Sequence, residues 1–193
     1  MSTILLWYAT RGAGVVSLLL LTGVVVLGVL SVHRFEMAGW PRFLTVGLHR
    51  NVSLLAVVFL ALHILTAVVD PFAHLGWVPV LIPFASYYRT FWLGLGTIAA
   101  ELVAAIVVTS LLRGFIGAGA WRLVHWLAYA AWPVAVLHGI GTGTDAGSAW
   151  LLAIQVACGL AVAAAVGLRL LTRSPDPLAE DRARFRARVR RDP

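Results

Sequence analysis

The chain has 193 residues, of which 61% are hydrophobic and only 12% are charged, and its formal net charge is +7. A soluble domain carries about twice that share of charge, so the composition excludes an ordinary soluble protein and predicts an integral membrane protein. The arginines lie at the ends of apolar stretches and in the C-terminal tail, a distribution that excludes a nucleic-acid-binding module. Its single cysteine, Cys158, lies within an apolar stretch, which excludes disulfides and cysteine-ligated iron–sulfur or zinc centres.

Five apolar stretches are each long enough to cross a bilayer, and they predict an all-α, polytopic transmembrane helical bundle of about five spans. In chain order the predicted spans cover about residues 5–32, 43–69, 89–112, 121–140 and 149–171. The first stretch lacks a basic n-region and a small-residue cleavage site, so we interpret it as a retained anchor. The link 70–88 is apolar and aromatic but broken by prolines, and we expect it to lie in the membrane interface or to fold back over the bundle.

The chain is predicted to form one membrane domain, residues 1–172, followed by a cytoplasmic arginine-rich tail, residues 173–193. Arginines are concentrated in the first link, the third link and the tail, whereas the second and fourth links carry Asp70 and Asp145. The positive-inside rule then predicts a cytoplasmic C-terminus and, with five spans, an N-terminus outside the cell membrane. The second and fourth spans therefore run in the same direction.

These two parallel spans each carry two histidines. His49 and His63 lie about 21 Å apart along the helix axis, and His125 and His138 lie about 20 Å apart. His49 and His125 are therefore expected at the cytoplasmic depth, and His63 and His138 at the outer depth. An imidazole in hydrocarbon needs a partner, and neutral imidazole is a good axial ligand for haem iron.

This spacing predicts two bis-histidine haem sites, which together would carry electrons across the membrane. The alternative is that each histidine hydrogen-bonds a neighbouring hydroxyl or carbonyl group. Helix geometry raises one difficulty, because thirteen residues leave His125 and His138 about 140° apart around a regular helix. Pro133 lies between them and is the candidate for a kink that re-aims one ring.

The pattern H-x13-H on one span and H-x12-H two spans later resembles the ferric reductase-like transmembrane domain family, which includes ferric reductases, NADPH oxidases and the haem-binding membrane subunit of methionine sulfoxide reductase. The stretches HRNVSLLAVVFLALHILTAVVD and WRLVHWLAYAAWPVAVLHGIGTGTD resemble short bacterial members of that group. The resemblance implies two b-type haems, one bound by His49 and His125 and one by His63 and His138. Larger family members have six spans and a C-terminal flavin and nicotinamide domain. About twenty tail residues without a dinucleotide fingerprint follow span five here, so we expect an external electron donor.

Several polar residues are candidates for supporting roles. Arg50 and Arg122 could bind the propionates of the cytoplasmic-side haem, and Arg89 those of the outer haem, although topology alone also accounts for arginines at these positions. Glu101 lies in mid-span and is either a proton relay or a neutral acid bonded to Gln155 or a threonine. His74, in the outer loop, is interpreted as a surface residue, with a metal or quinone contact as the alternative.

The predicted function is therefore electron transfer from a soluble or membrane donor, either a flavoprotein or a quinol, to an acceptor on the outer side. Ferric iron, a flavoprotein and an oxidised-methionine repair enzyme are the candidate acceptors, and a quinone is a further candidate cofactor. The expected partners also include membrane lipids, which the arginine-rich tail would contact. The alternatives are a metal-ion permease that uses the same histidines and a membrane anchor subunit without redox activity.

Overall fold

The computed structural model describes residues 3–33, 40–71, 75–145 and 147–171, and these residues form helices and connecting turns. The helices in chain order are α1 (Thr3–Val32), α2 (Arg42–Val69), α3 (Val78–Leu81), α4 (Thr90–Leu111), α5 (Arg113–His125), α6 (Ala128–Thr142) and α7 (Ala149–Leu171). Four of them, α1, α2, α4 and α7, are each long and apolar enough to cross a membrane, and α5 with α6 forms a fifth, bent candidate span. The prediction of an all-α, multi-pass membrane bundle of about five spans is confirmed.

Four predicted spans agree with the helices to within about two residues, because their ends carry clear local signals. The second span ends at Asp70, whose extended backbone (φ −68°, ψ 116°) precedes Pro71. The ring of a proline disfavours the helical conformation in the residue before it. Many large apolar side chains on these helices are exposed and few are buried within the bundle, as expected of surfaces that contact lipid.

The helices pack as two pairs, and the gap between the pairs is the feature that positions the candidate site. α1 packs along α2, α4 packs along α6, and α7 lies against α1. Over the described residues, α2 and α6 make no extended backbone contact with each other. The segments that carry the four histidines, α2 on one side and α5 with α6 on the other, therefore meet without close backbone packing.

The described part of the second link folds back over the bundle, which was one of the two expected arrangements. It contains the short helix α3, and the hydroxyl of Thr97 on α4 donates a hydrogen bond of 2.6 Å to the carbonyl of Pro79. The ring of Phe84 lies directly against Gly94, in the space that a side chain at position 94 would occupy. This link therefore covers one end of α4. His74 lies outside the described residues.

The third link differs from its prediction. Residues 113–120 lie between the third and fourth predicted spans, but they are helical and begin α5, which is interrupted at Gly117 (φ 78°, ψ 159°). A φ of this sign is accessible to glycine at little cost, so the helix breaks at this residue. α5 and α6 then meet at an angle of 46°. The helix that carries His125 is thus short and separated from α6 by a bend.

Candidate functional site

The structure brings the four histidines together in the two predicted pairs. The ring centroids of His49 and His125 are 6.3 Å apart, and those of His63 and His138 are 6.2 Å apart. Two metal–nitrogen bonds of about 2.0 Å, with about 1.2 Å from each nitrogen to its ring centre, would place the centroids of two opposed axial ligands about 6.4 Å apart. Each pair is therefore spaced to hold one iron atom between its rings.

On α2 the regular helix is sufficient to align the ligands. Fourteen residues separate His49 from His63, and this spacing returns a regular helix to within about 40° of the same face. Both imidazoles therefore lie on one side of α2, where each ring is close to that of a partner histidine. No distortion of α2 is needed, and the helix continues from Arg42 to Val69 without a break.

His125 and His138, the two candidate ligands on α5 and α6, are aligned by local overwinding of the chain between them. Between α5 and α6 three backbone N–H groups donate to the carbonyl three residues earlier, namely Leu127 to Val124 (2.9 Å), Tyr129 to Trp126 (3.1 Å) and Ala130 to Leu127 (3.0 Å). Such 3₁₀ bonds advance the chain by about 120° per residue instead of about 100°. Over about six residues the excess is about 120°, which nearly cancels the offset of about 140° expected for a regular helix.

The distortion lies near Pro133, as expected, but not at it. Proline has no N–H and therefore leaves the carbonyl of Tyr129 without its helical donor. The bend and the 3₁₀ bonds occur in the turns that precede this carbonyl, around Trp126 and Leu127. The overwound stretch therefore lies between His125 and His138, where it can set their relative orientation.

Backbone hydrogen bonds fix the proton of three of the four imidazoles on Nδ1. The acceptor carbonyls are those of Val24 for His49 (3.0 Å), Thr10 for His63 (2.8 Å) and Trp92 for His138 (2.9 Å). A carbonyl oxygen can only accept a hydrogen bond, so each Nδ1 is the donor and Nε2 keeps its lone pair. This tautomer, in which Nδ1 donates to a protein carbonyl and Nε2 is free to bind a metal, is typical of histidines that bind a metal.

A glycine accompanies each of these three hydrogen bonds. Four residues after the acceptor carbonyl lies Gly28 for His49, Gly14 for His63 and Gly96 for His138, and an added Cβ would come within 3.3, 3.0 and 2.5 Å of the respective imidazole. The missing side chain lets the ring approach the neighbouring helix closely enough to reach its backbone. We call each combination of an acceptor carbonyl and a glycine four residues later a glycine seat. Sequence analysis did not identify these seats.

His125 is held differently. Its Nδ1 is buried and has no hydrogen-bond partner among the described residues. Its ring lies 4.9 Å from that of Trp121, with the two planes inclined by 33°. This imidazole is therefore positioned by packing on an aromatic ring and not by a hydrogen bond to a neighbouring helix.

An apolar cleft opens beside the pair formed by His63 and His138. Its lining is almost entirely apolar and includes Leu60, Leu93 and Val103. Clefts of this character commonly bind small molecules and cofactors. The lining therefore suits the apolar faces of a porphyrin.

The three predicted arginines lie near the ends of the site. Arg50 and Arg122 are both exposed, next to His49 in sequence and one turn before His125, respectively. Arg89 is exposed and donates hydrogen bonds to the carbonyls of Gly141 and Gly143 at the C-terminus of α6. A cation is favourable at the C-terminal end of a helix, so Arg89 has a structural role in addition to any ligand contact.

A further charged pair lies next to the seat of His63 and was not predicted. Arg11 of α1 forms a salt bridge with Asp145 in the link between α6 and α7, and its guanidinium lies 4.9 Å from the ring centre of Trp7. Thr10, whose carbonyl accepts from His63, directly precedes Arg11. The available signal was that an arginine inside a predicted span needs a counter-charge.

Glu101 is not brought to the histidines or to Gln155. It is exposed on the outer surface of α4, whereas Gln155 on α7 is buried, with 5% of its surface accessible. The Oε1 atom of Gln155 has no hydrogen-bond partner within the described part of the chain. Of the alternatives for Glu101, a neutral acid bonded to Gln155 is therefore not observed.

The number of ligands in each cluster bears on which metal group could bind. Within residues 3–33, 40–71, 75–145 and 147–171, no three or more His, Cys, Asp or Glu side chains are grouped as ligands of one ion. A bare zinc ion takes about four donors, most of them from the protein. The iron of haem receives its equatorial nitrogens from the porphyrin and needs only two axial ligands. Pairs of imidazoles therefore fit haem better than a bare ion.

Comparison of the chain with protein-family models, with curated proteins and with solved structures found no match. Function must therefore be argued from the geometry of the paired histidines.

Proposed function

We propose that this protein is a transmembrane di-haem b-type cytochrome that transfers electrons across the membrane. The observation that carries the proposal is the spacing of 6.3 and 6.2 Å between the ring centroids of His49 and His125 and of His63 and His138. Both pairs have the spacing expected of opposed axial ligands, and in each pair the two histidines come from different helices. The ferric reductase-like resemblance of the sequence supports the same assignment.

In the proposed sites, the cofactor and the protein supply different parts of the electron-transfer chemistry. Haem, when bound, supplies a one-electron carrier whose potential depends on its axial ligands and their hydrogen bonds. Three glycine seats hold the Nδ1 protons of His49, His63 and His138, which leaves each Nε2 lone pair available to the iron. The apolar side chains that line the cleft beside His63 and His138 would limit the access of water. While imidazoles occupy both axial positions, such a site would pass electrons without binding a substrate at the metal.

The two sites lie about 21 Å apart along the axis of α2, since His49 and His63 are fourteen residues apart on this helix. Electrons that pass between the two sites would cross most of the apolar thickness of a bilayer, which is about 30 Å. We propose that the N-terminus lies outside and the C-terminus in the cytoplasm of a plasma-membrane protein, because this orientation places the arginine-rich links on the inner side. The site of His63 and His138 is then the outer one.

The proposed partners follow from this orientation. A flavoprotein or a quinol would deliver electrons at the site of His49 and His125, where Arg50 and Arg122 are available for haem propionates or for an acidic donor surface. Arg89 would serve the outer propionates. An acceptor on the outer side, such as ferric iron or a flavoprotein, would receive the electrons. The arginine-rich tail would contact anionic lipid.

The test is haem quantitation and a reduced-minus-oxidised spectrum of the full-length protein, purified after expression with ample haem. We expect about two haems per chain with low-spin b-type spectra. His63→Ala and His138→Ala should each reduce the content to about one, whereas His33→Ala, which removes a histidine outside the pairs, should keep both. A colourless preparation, or two haems in both ligand variants, would refute the proposal.

A further inference from the structure

The four candidate ligands are not equivalent, and the difference is confined to His125. His49, His63 and His138 each donate from Nδ1 to a carbonyl of a neighbouring helix at 2.8 to 3.0 Å. The Nδ1 of His125 is buried and has no hydrogen-bond partner in the described residues. The hydrogen bond behind a ligating imidazole orients the ring and raises its basicity, so its loss weakens the metal bond.

The position where a fourth seat would lie is occupied by a serine. On α1 the two glycines of the seats, Gly14 and Gly28, are fourteen residues apart, as are the two histidines that they support. Fourteen residues after Gly96, the glycine of the seat on α4, lies Ser110. The hydroxyl of Ser110 donates a 2.6 Å hydrogen bond to the carbonyl of Ile106, which is the acceptor that this seat would use. That carbonyl is therefore already occupied.

The backbone around His125 is also less constrained than that around the other ligands. The helix that carries it is interrupted at Gly117, eight residues before it, and bends by 46° directly after it. All side chains from Arg113 to Ala120 are exposed. By contrast, His49 and His63 lie within the uninterrupted helix α2. A short segment between two breaks can move with little loss of packing.

We propose, on the basis of the haem function assigned above, that His125 is an exchangeable ligand and that the haem site of His49 and His125 binds a small neutral iron ligand in its place. In the exchange, the bond between Nε2 of His125 and iron would break, and the incoming molecule would donate a lone pair to the same position with no change in the oxidation state of the iron. Neither ligand of the site of His63 and His138 is expected to exchange, because both of its imidazoles are held in glycine seats. In addition, the hydroxyl of Thr142 lies 3.2 Å from Nδ1 of His138.

Carbon monoxide is a suitable probe because it binds ferrous haem only where an axial position opens. The dithionite-reduced, full-length wild-type protein should bind CO at about one of its two haems. The variant H63A/H138A, which keeps only the site of His49 and His125, should bind CO at its remaining haem. The variant H49A/H125A, which keeps only the other site, should retain an unchanged ferrous spectrum under CO.

The outcomes separate this inference from the proposed function. Two haems per chain without CO binding in the wild-type protein, or CO binding that persists in H49A/H125A, would overturn the exchangeable role of His125 and leave the di-haem assignment intact. A wild-type protein without haem would overturn both. If either double variant fails to fold, resonance Raman spectra of the wild-type protein decide the matter, since an exchangeable ligand predicts one CO-bound and one unchanged six-coordinate ferrous haem.

Discussion

Gly96 lies so close to His138 that a Cβ on the glycine would come within 2.5 Å of the imidazole Nδ1 and Cε1 atoms. Nδ1 is also the atom that donates to the carbonyl of Trp92 at 2.9 Å. The same arrangement recurs at Gly14 and Gly28, where the distance from an added Cβ to the imidazole is longer, 3.0 and 3.3 Å. The absence of a side chain at these glycines is therefore part of how the imidazoles are oriented, and substitution there should act on the ligands more than on the fold.

The variant Gly96→Ala should displace the ring of His138 because the added methyl group occupies its position. We expect the bond between iron and His138 to weaken, with a rise in the high-spin fraction of the ferric spectrum and CO binding at a second haem. Gly159→Ala is the matched control, since a Cβ at Gly159 meets no atom within 4 Å. An unchanged low-spin spectrum in Gly96→Ala would show that the seat does not orient the ligand.

The salt bridge between Arg11 and Asp145 should stabilise the end of the bundle that carries His63 and His138. The two side chains are 16% and 24% exposed, so they are partly shielded from solvent. Asp145→Asn leaves the guanidinium without its counter-charge, and we expect a loss of about 2 kcal/mol in the free energy of unfolding in detergent. The double variant R11Q/D145N should lose less than the sum of the two single variants. Additive losses would show that the two charges are not coupled.

The indole of Trp132 links α6 to α1 by a hydrogen bond, about midway between the two histidine pairs. Its Nε1 donates a 2.9 Å hydrogen bond to the hydroxyl of Thr22, which is buried. Trp132→Phe removes this bond but keeps an aromatic ring, and hydrogen bonds between membrane helices contribute about 0.6 to 1.7 kcal/mol. We expect a loss of about 1 kcal/mol in unfolding experiments, while Trp150→Phe, on the exposed surface of α7, should change stability little. Equal effects of the two substitutions would contradict this role.

The spans could be predicted because each depends on signals within one segment of sequence, and the pairing of the histidines could be predicted because it depends on their spacing within two spans that run in the same direction. Hydropathy gives the spans, and the spacing of His49 from His63 gives their common face. The glycine seats could not be predicted in this way. Gly14 and Gly28 are ordinary small residues of α1 until α2 is packed against them, and only the pairing of helices shows which carbonyl each imidazole reaches.

The alignment of His125 with His138 could not be predicted from the sequence either, for a different reason. Pro133 marks a distortion, but its presence does not give the number of 3₁₀ bonds that form upstream. The observed three bonds supply about the rotation that the pair requires. The position of the break at Trp126 and Leu127 depends on tertiary packing.

The overwound stretch itself can be tested through Pro133→Ala. The alanine N–H can donate to the carbonyl of Tyr129, which favours a regular helix through this region. A regular helix would rotate His125 away from the face of His138 by about 140°. We expect the variant to keep the haem of His63 and His138 and to lose the other, so that haem content falls from about two to about one per chain. Pro83→Ala, in the link before α4, should keep both haems. Two haems in Pro133→Ala, with an unchanged ferrous spectrum, would show that packing around the bend, and not the missing N–H of the proline, maintains the overwinding.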